Sequence, residues 1–163
     1  KYRESFRPFA PSILFEDLKD WFDLDVSSPY MLLVSNVNQD KLNILDENQN
    51  NLKGFEKLNL SRSKVPAITH VDNTARIQTV HKETNLKFYN LIKEFKKITN
   101  CPILINTSFN IRGEPIVCSP NDAYRCFMGT DLDILIIENF VMKKEEQSIK
   151  NNIRNYKHEY TLD

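Results

Sequence analysis

Glycine is scarce in this chain, at three of 163 residues. No G-x-x-x-x-G-K-[ST] loop can be written from the sequence, so nucleotide binding cannot rest on a P-loop. Cysteine is equally scarce. Cys101, Cys118 and Cys126 make an odd count without C-x-x-C spacing, which argues against a disulfide framework and against a zinc site. They are expected as buried, reduced thiols, and a reducing, cytoplasmic location follows from that expectation. No set of His, Asp and Glu has metal-ligand spacing. Neither sign of charge is in excess, since 22 Lys and Arg balance 22 Asp and Glu. Composition therefore gives no broad attraction to nucleic acid or to an acidic membrane. No apolar run approaches the ~20 residues of a membrane span, and no secretory signal is visible. Position 1 is Lys rather than Met, and the chain reads as part of a longer protein.

What remains is the composition of a folded globule, 40% hydrophobic and long enough for one domain with a core. The start, through Ser12, is rich in Arg, Pro and Phe and reads as extended. Phe15 to Phe22 reads as a short helix and Tyr30 to Val37 as a strand. Asn38 to Lys64 is polar and reads as a long loop or mobile hairpin. Val65 to Thr69 and Ala75 to Val80 read as strands joined by a tight His-Val-Asp-Asn turn. Thr84 is expected to cap a helix reaching Thr99, with Phe88, Leu91, Ile92, Phe95 and Ile98 on one apolar face. Pro102 to Asn106 is a buried strand. Ser119-Pro120-Asn121-Asp122 starts a helix that ends near Gly129: a hydroxyl cap, a proline whose missing N–H costs nothing, and an acid facing the dipole. Leu132 to Glu138 is a further strand, placed with the others in one sheet. His81 and His158 read as surface residues. The tail from Lys143 is charged and has no apolar stripe, as in a solvated helix, a frayed end or a packing surface. The alternation gives an α/β fold with a mixed, twisted open sheet and helices packed on it. Residues 1–144 form the domain and 145–163 a tail.

The most informative segment is Asn106-Thr107-Ser108-Phe109-Asn110-Ile111-Arg112-Gly113-Glu114-Pro115. Two amides and two hydroxyls lie within five residues, directly after the apolar run Pro102-Ile103-Leu104-Ile105. A buried strand whose exit carries clustered small polar side chains is one way to build a binding loop, and such groups hold phosphate or carboxylate without a metal. The same residues also make ordinary turns, and the pattern alone leaves both readings open. Glu114 can pin the loop by accepting from backbone N–H groups.

This segment resembles the signature of the C-terminal domain of the O-carbamoyltransferases, a family that includes nodulation-type and antibiotic-decorating enzymes. Further blocks carry the resemblance in family order. They are Arg3-Glu4-Ser5-Phe6-Arg7-Pro8-Phe9-Ala10-Pro11-Ser12, then Ser28-Pro29-Tyr30-Met31, then Pro66 to Val80, and last Leu132-Asp133-Ile134-Leu135 with Asn139-Phe140. Glycine is common in the family where Asn73 stands. Asn tolerates a left-handed backbone, so the turn is expected to survive. The resemblance implies a YrdC-like domain with a K-x-R…S-x-N arrangement, here Lys1, Arg3, Ser108 and Asn110.

In that reading Lys1 and Arg3 aim two cations at one anion, and Ser108 and Asn110 add neutral hydrogen bonds. These four are the candidate catalytic residues. Arg76, Asn106, His70 and Arg7 are candidate nucleotide contacts, and no metal ligand is assigned. Arg3, Arg76, Ser108 and Asn110 are expected to line one cleft. Bland alternatives stand beside each: a solvated terminal Lys1, a surface ion pair for Arg76, an Asx turn for Asp72 beside His70, and stacking of Arg7 between aromatic rings.

The resemblance further implies that the domain takes ATP, with Mg2+ held mainly by its phosphates, and carbamoyl phosphate, and forms carbamoyl-adenylate. An N-terminal actin-like domain of the same polypeptide, iron-bearing in the family, would pass the carbamoyl group to an acceptor hydroxyl. No nucleic-acid or membrane partner is expected. The alternatives are a nucleotide-binding regulatory module without turnover, and a YrdC relative that makes threonylcarbamoyl-adenylate.

Overall fold

In a computed structural model that describes residues 7–148 and 156–160, the Pro-rich start does more than extend: Ala10–Leu14 forms β1, a central strand of a four-stranded sheet. Proline is normally excluded from a central strand because it cannot donate to the ladder. Pro11 escapes this because pairing with the parallel neighbour begins one residue later, at Ser12↔Gln78. The other sheet strands are β2 (Leu33–Asn36), β3 (Thr74–Val80) and β4 (Ile103–Asn106), in the order β2-β3-β1-β4. β1 runs parallel to β3 and antiparallel to β4, and β2 is antiparallel to β3, so the sheet is mixed and open.

Alternation along the strands divides the two sheet faces. Ile13, Ala75, Ile77 and Ile103 point to one face and pack with Leu18, Phe22, Val37 and Ile68, all buried. Each such large side chain contributes about 1.5–3 kcal/mol on burial. This face is covered by the short helix α1 (Leu18–Trp21) and by a 3-10 turn at Pro66–Ile68. The segment 65–69 is therefore not the expected strand. Pro66 takes the first helical position, where a locked φ and a missing N–H suit a tight turn.

On the other face, Leu14 and Val80 pack with Leu104 against Tyr89 and Ile92 of a long helix. That helix covers only the end of the face where these apolar residues sit. The opposite end carries Ser12, Arg76, Gln78 and Asn106.

The expected strand 30–37 shrinks to β2 because Met31 takes a left-handed φ of 59° and Tyr30 is exposed. The polar segment that follows contains two short helices, α2 (Glu47–Asn50) and α3 (Gly54–Leu58), and its base is closed by a bridge between Leu42 and Ser63. Helix α4 (Leu86–Thr99) is capped by Asn85, whose side chain accepts from Phe88 N–H, rather than by Thr84. Its buried stripe is narrower than the sequence suggested, for Leu91 and Ile98 are exposed. Lys96 donates to the buried Asp17 at 2.6 Å and so ties α4 to the segment after β1. His81 is not a simple surface residue. It stacks on Phe15 with ring centroids 4.5 Å apart and bonds Ser27 at 2.9 Å.

The chain forms two compact units; among the described residues one spans 7–107 and the other 108–148 with 156–160. The second holds α5 (Pro120–Gly129), β5 (Ile134–Ile137) and β6 (Phe140–Lys143). The helix starts as the sequence requires, with reciprocal Ser119 and Asp122 bonds forming a capping box. β5 does not join the larger sheet. It pairs with β6 in a separate hairpin through a two-residue Glu138-Asn139 turn, and Leu135, Ile137 and Met142 pack against α5. All three cysteines are free, but Cys118 is exposed and Cys101 half-buried, so burial holds for Cys126 alone.

Candidate functional site

The polar end of the sheet face is built by register. Ser12 and Gln78 are cross-strand partners, and Ala10 faces Asn106. Gln78 Oε1 accepts from Ser12 Oγ at 2.5 Å and from Asn106 Nδ2 at 2.6 Å. Its Nε2 donates to the Pro29 carbonyl at 3.1 Å. One glutamine thus ties three strands and a loop together. The loop is itself anchored, because Ser28 N–H donates to Thr79 Oγ1 at 2.9 Å and Ser28 Oγ to the Ile77 carbonyl at 2.8 Å. Ser28-Pro29 was noticed in the sequence as a block without a role; its role is to hold this edge. Gln78 was missed, and its place two residues after Arg76 on the same strand face was the signal that could have found it.

Arg76 lies on that face and is exposed. Thr74, two residues earlier, shares the face, and His70 Nδ1 lies 2.9 Å from Thr74 Oγ1. His70, Arg76, Gln78 and Asn106 therefore belong to one sheet face. The turn before Arg76 is locked from within. Asp72 Oδ1 accepts from Thr74 N–H at 3.1 Å and from Thr74 Oγ1 at 2.7 Å, and these bonds hold its carboxyl below its ordinary value. Asp72 is an Asx-turn residue. Asn73 adopts φ 64°, the left-handed backbone expected of it. Arg62, nearly buried, donates to the His70 carbonyl at 2.9 Å; desolvation lowers its pKa and Asp72 opposes that shift.

Arg7 lines another cleft of about 420 Å³, with Phe9, Leu58, Arg62, Pro66 and Thr69. Arg76 and Asn106 are not among the residues lining it. Lys1 and Arg3 lie outside the described residues.

The signature straddles the two units. Asn106 belongs to β4, whereas Ser108 and Asn110 belong to the second unit. Ser108 Oγ donates to Asn110 Oδ1 at 2.6 Å, and Asn110 Nδ2 donates to the Glu114 carbonyl at 2.8 Å. Glu114 is buried, and its Oε2 accepts from Ile111 N–H at 2.7 Å. That is the pinning role its sequence position suggested. Its Oε1 accepts from the hydroxyl of Tyr156, a contact no sequence pattern announced. Gly113 takes φ 79°, which lets the chain turn back so that Glu114 can reach Ile111.

Chemically, each unit offers preset neutral hydrogen-bonding groups, and the sheet adds an exposed guanidinium. Amides and hydroxyls orient an oxyanion, and a guanidinium grips phosphate through paired N–H groups. Among the described residues no cluster of three or more His, Cys, Asp or Glu can hold a metal ion, and no helix is long and apolar enough to cross a membrane.

Residues 1–144 match the model described as the carbamoyltransferase C-terminus. The chain is 56% identical over 163 residues to an uncharacterized protein of Synechocystis, sll1178, covering all of this chain and 26% of that protein. It is 42% identical over 153 residues to nodulation protein NolO of Bradyrhizobium diazoefficiens, covering 92% of this chain and 24% of NolO. It is 41% identical over 151 residues to nodulation protein NolNO of Sinorhizobium fredii, covering 91% of this chain and 19% of NolNO. The chain thus spans about a quarter or less of the length of these relatives. With a match across most of its length, the chain belongs to the carbamoyltransferase C-terminus family.

Proposed function

We propose that this chain is the adenylate-forming part of an O-carbamoyltransferase. It would bind ATP and carbamoyl phosphate and deliver carbamoyl-adenylate for transfer to an acceptor hydroxyl bound mainly by the rest of the polypeptide. Atom balance sets the order of events. Water releases inorganic phosphate from carbamoyl phosphate and leaves carbamate. A carbamate oxygen then attacks the α-phosphorus of ATP, and pyrophosphate departs. Both substrates are strongly anionic, so the site must supply cations and fixed dipoles where charge gathers on the leaving pyrophosphate.

Arg76 is the described cation suited to that task. The Ser12–Gln78–Asn106 network holds Asn106 on the same sheet face. Ser108 and Asn110 would orient the carbamoyl oxygens, and Lys1 and Arg3 would add the remaining cations. Mg2+ would arrive with ATP, held by its phosphates. His70 has Nδ1 engaged by Thr74, which leaves Nε2 as the nitrogen able to meet phosphate.

The observation that carries the reading is the family match over residues 1–144 together with an exposed arginine on the sheet face that carries the Gln78–Asn106 pair. The test is pyrophosphate release by the full-length protein from ATP plus carbamoyl phosphate, with no acceptor present. Release that needs both substrates supports the proposal. ATP binding without release points to a non-catalytic module, and release that needs threonine and bicarbonate instead points to threonylcarbamoyl-adenylate chemistry.

A further inference from the structure

We propose that Tyr156, which lies beyond the residues matched to the family, is a positioning residue for the signature loop, acting through Glu114 on Asn110 and Ser108. This rests on the reading of Ser108 and Asn110 as ligand-facing groups. The geometry is a chain of hydrogen bonds. Tyr156 is 2% exposed, and its hydroxyl donates to one oxygen of Glu114, which is 8% exposed. The other carboxylate oxygen takes Ile111 N–H at 2.7 Å. The Glu114 carbonyl takes Asn110 Nδ2 at 2.8 Å, and Asn110 Oδ1 takes Ser108 Oγ at 2.6 Å. A segment of the charged tail is thereby connected to the two polar side chains of the S-x-N pair.

A buried carboxylate must have its oxygens satisfied, and an unsatisfied one reorganises toward water. Glu114 meets this need with one backbone N–H and one phenol. Removing the phenol would free one oxygen in a dry site, and the reorganisation would reach Ile111 and Asn110 because they hang on the same residue. Burial, followed by the Glu114 bond, pushes the Tyr156 pKa upward, so the hydroxyl stays protonated and donates at any physiological pH.

The hydroxyl can be separated from the ring. The ring sits against Gly129, where an added Cβ would fall 2.2 Å from Tyr156 Cγ. It also meets Tyr160 edge-on at 5.5 Å. Arg125 holds Glu159 at 3.0 Å, which fastens the same segment to α5. Phenylalanine keeps the ring contacts and deletes the bond to Glu114.

The experiment uses the full-length protein with Tyr156→Phe, Glu114→Gln, the double variant, and Tyr160→Phe as a control. Two readouts are taken: hydrogen exchange at the Ile111 amide, and carbamoyl phosphate-dependent exchange of labelled pyrophosphate into ATP. Loss of a hydrogen bond to a charged group corresponds to roughly tenfold or more. Ile111 exchange in Tyr156→Phe should rise by about that factor. The exchange kcat should fall by a similar factor, with KM for ATP moving less than about twofold, because ATP is gripped elsewhere. The double variant should be no worse than Glu114→Gln alone, since both changes cut one link. Tyr160→Phe, which removes only the long 3.4 Å bond from Tyr160 to the Tyr156 hydroxyl, should move both readouts far less than Tyr156→Phe. An unchanged kcat in folded Tyr156→Phe overturns the proposal, whether or not Ile111 loosens. If Tyr156→Phe does not fold, an unchanged kcat in Glu114→Gln overturns it equally. If wild type shows no pyrophosphate exchange, the adenylate reading fails. Ile111 protection, which needs no turnover, then decides whether Tyr156 orders the loop.

Discussion

The two units hold their polar groups by different means. In residues 7–107, Ser12, Gln78 and Asn106 sit on three hydrogen-bonded strands, so the backbone ladder has set their places before any side chain bonds. In residues 108–117 no strand or helix runs; Asn110 donates to the Glu114 carbonyl, and the buried Glu114 carboxylate pins the turn through Ile111 N–H. A ladder sets position through many bonds at once, whereas this loop has a buried side chain where the sheet has a ladder. A side-chain deletion should therefore cost little in the first unit and much in the second.

Glu114→Ala should have the largest effect. It leaves Ile111 N–H without its carboxylate and the Tyr156 hydroxyl without its acceptor, a loss of about 3 kcal/mol or more in local stability. Native-state hydrogen exchange at α5 amides measures it. The counterpart, Gln78→Ala, should cost only about 1 kcal/mol at β1 and β3 amides, since the ladder remains. Equal costs would end the comparison.

Arg76→Ala should weaken ATP binding by roughly 1.5–3 kcal/mol, the worth of a charge-assisted bond, without lowering the melting temperature appreciably. Calorimetric titration of the full-length protein checks this. Gly129→Ala should destabilise the second unit by about 1–3 kcal/mol through overpacking against Tyr156, and α5 exchange would report it.

The smallest effect concerns the turn before Arg76. Hydrogen bonds from Thr74 lower the Asp72 carboxyl pKa, so its stabilising contribution is present above the ordinary carboxylate value of 3.8 and fades as pH falls through the lowered one. The site is exposed, so the change in melting temperature should be slight. Asp72→Asn, which can still accept from Thr74, should lose that acid dependence while keeping its stability near neutral pH.

The sequence was most legible where local chemistry is decisive. The Ser119 cap, the left-handed Asn73 and the Glu114 pin were all readable from residue type and spacing. β1 was read only as extended because Pro11 masks a strand whose pairing starts after it. The 65–69 segment looked like a strand because five residues carry too little periodicity to separate it from a proline-led turn. β5 was placed in the main sheet because an apolar run does not say which partner it pairs with, and its partner came from β6, four residues wide. At the site, Arg76 and Asn106 were visible as residue types. Gln78 and Tyr156 were not, since their importance comes from contacts made 66 and 42 residues away.

The most direct test of the account is exchange of labelled pyrophosphate into ATP by the full-length protein, dependent on carbamoyl phosphate, in wild type, Arg76→Ala and Asn110→Ala. The account predicts robust exchange in wild type and strongly reduced exchange in both variants, with Asn110→Ala losing rate far more than stability. Exchange absent from a folded wild-type protein, or unchanged in both variants, would contradict it.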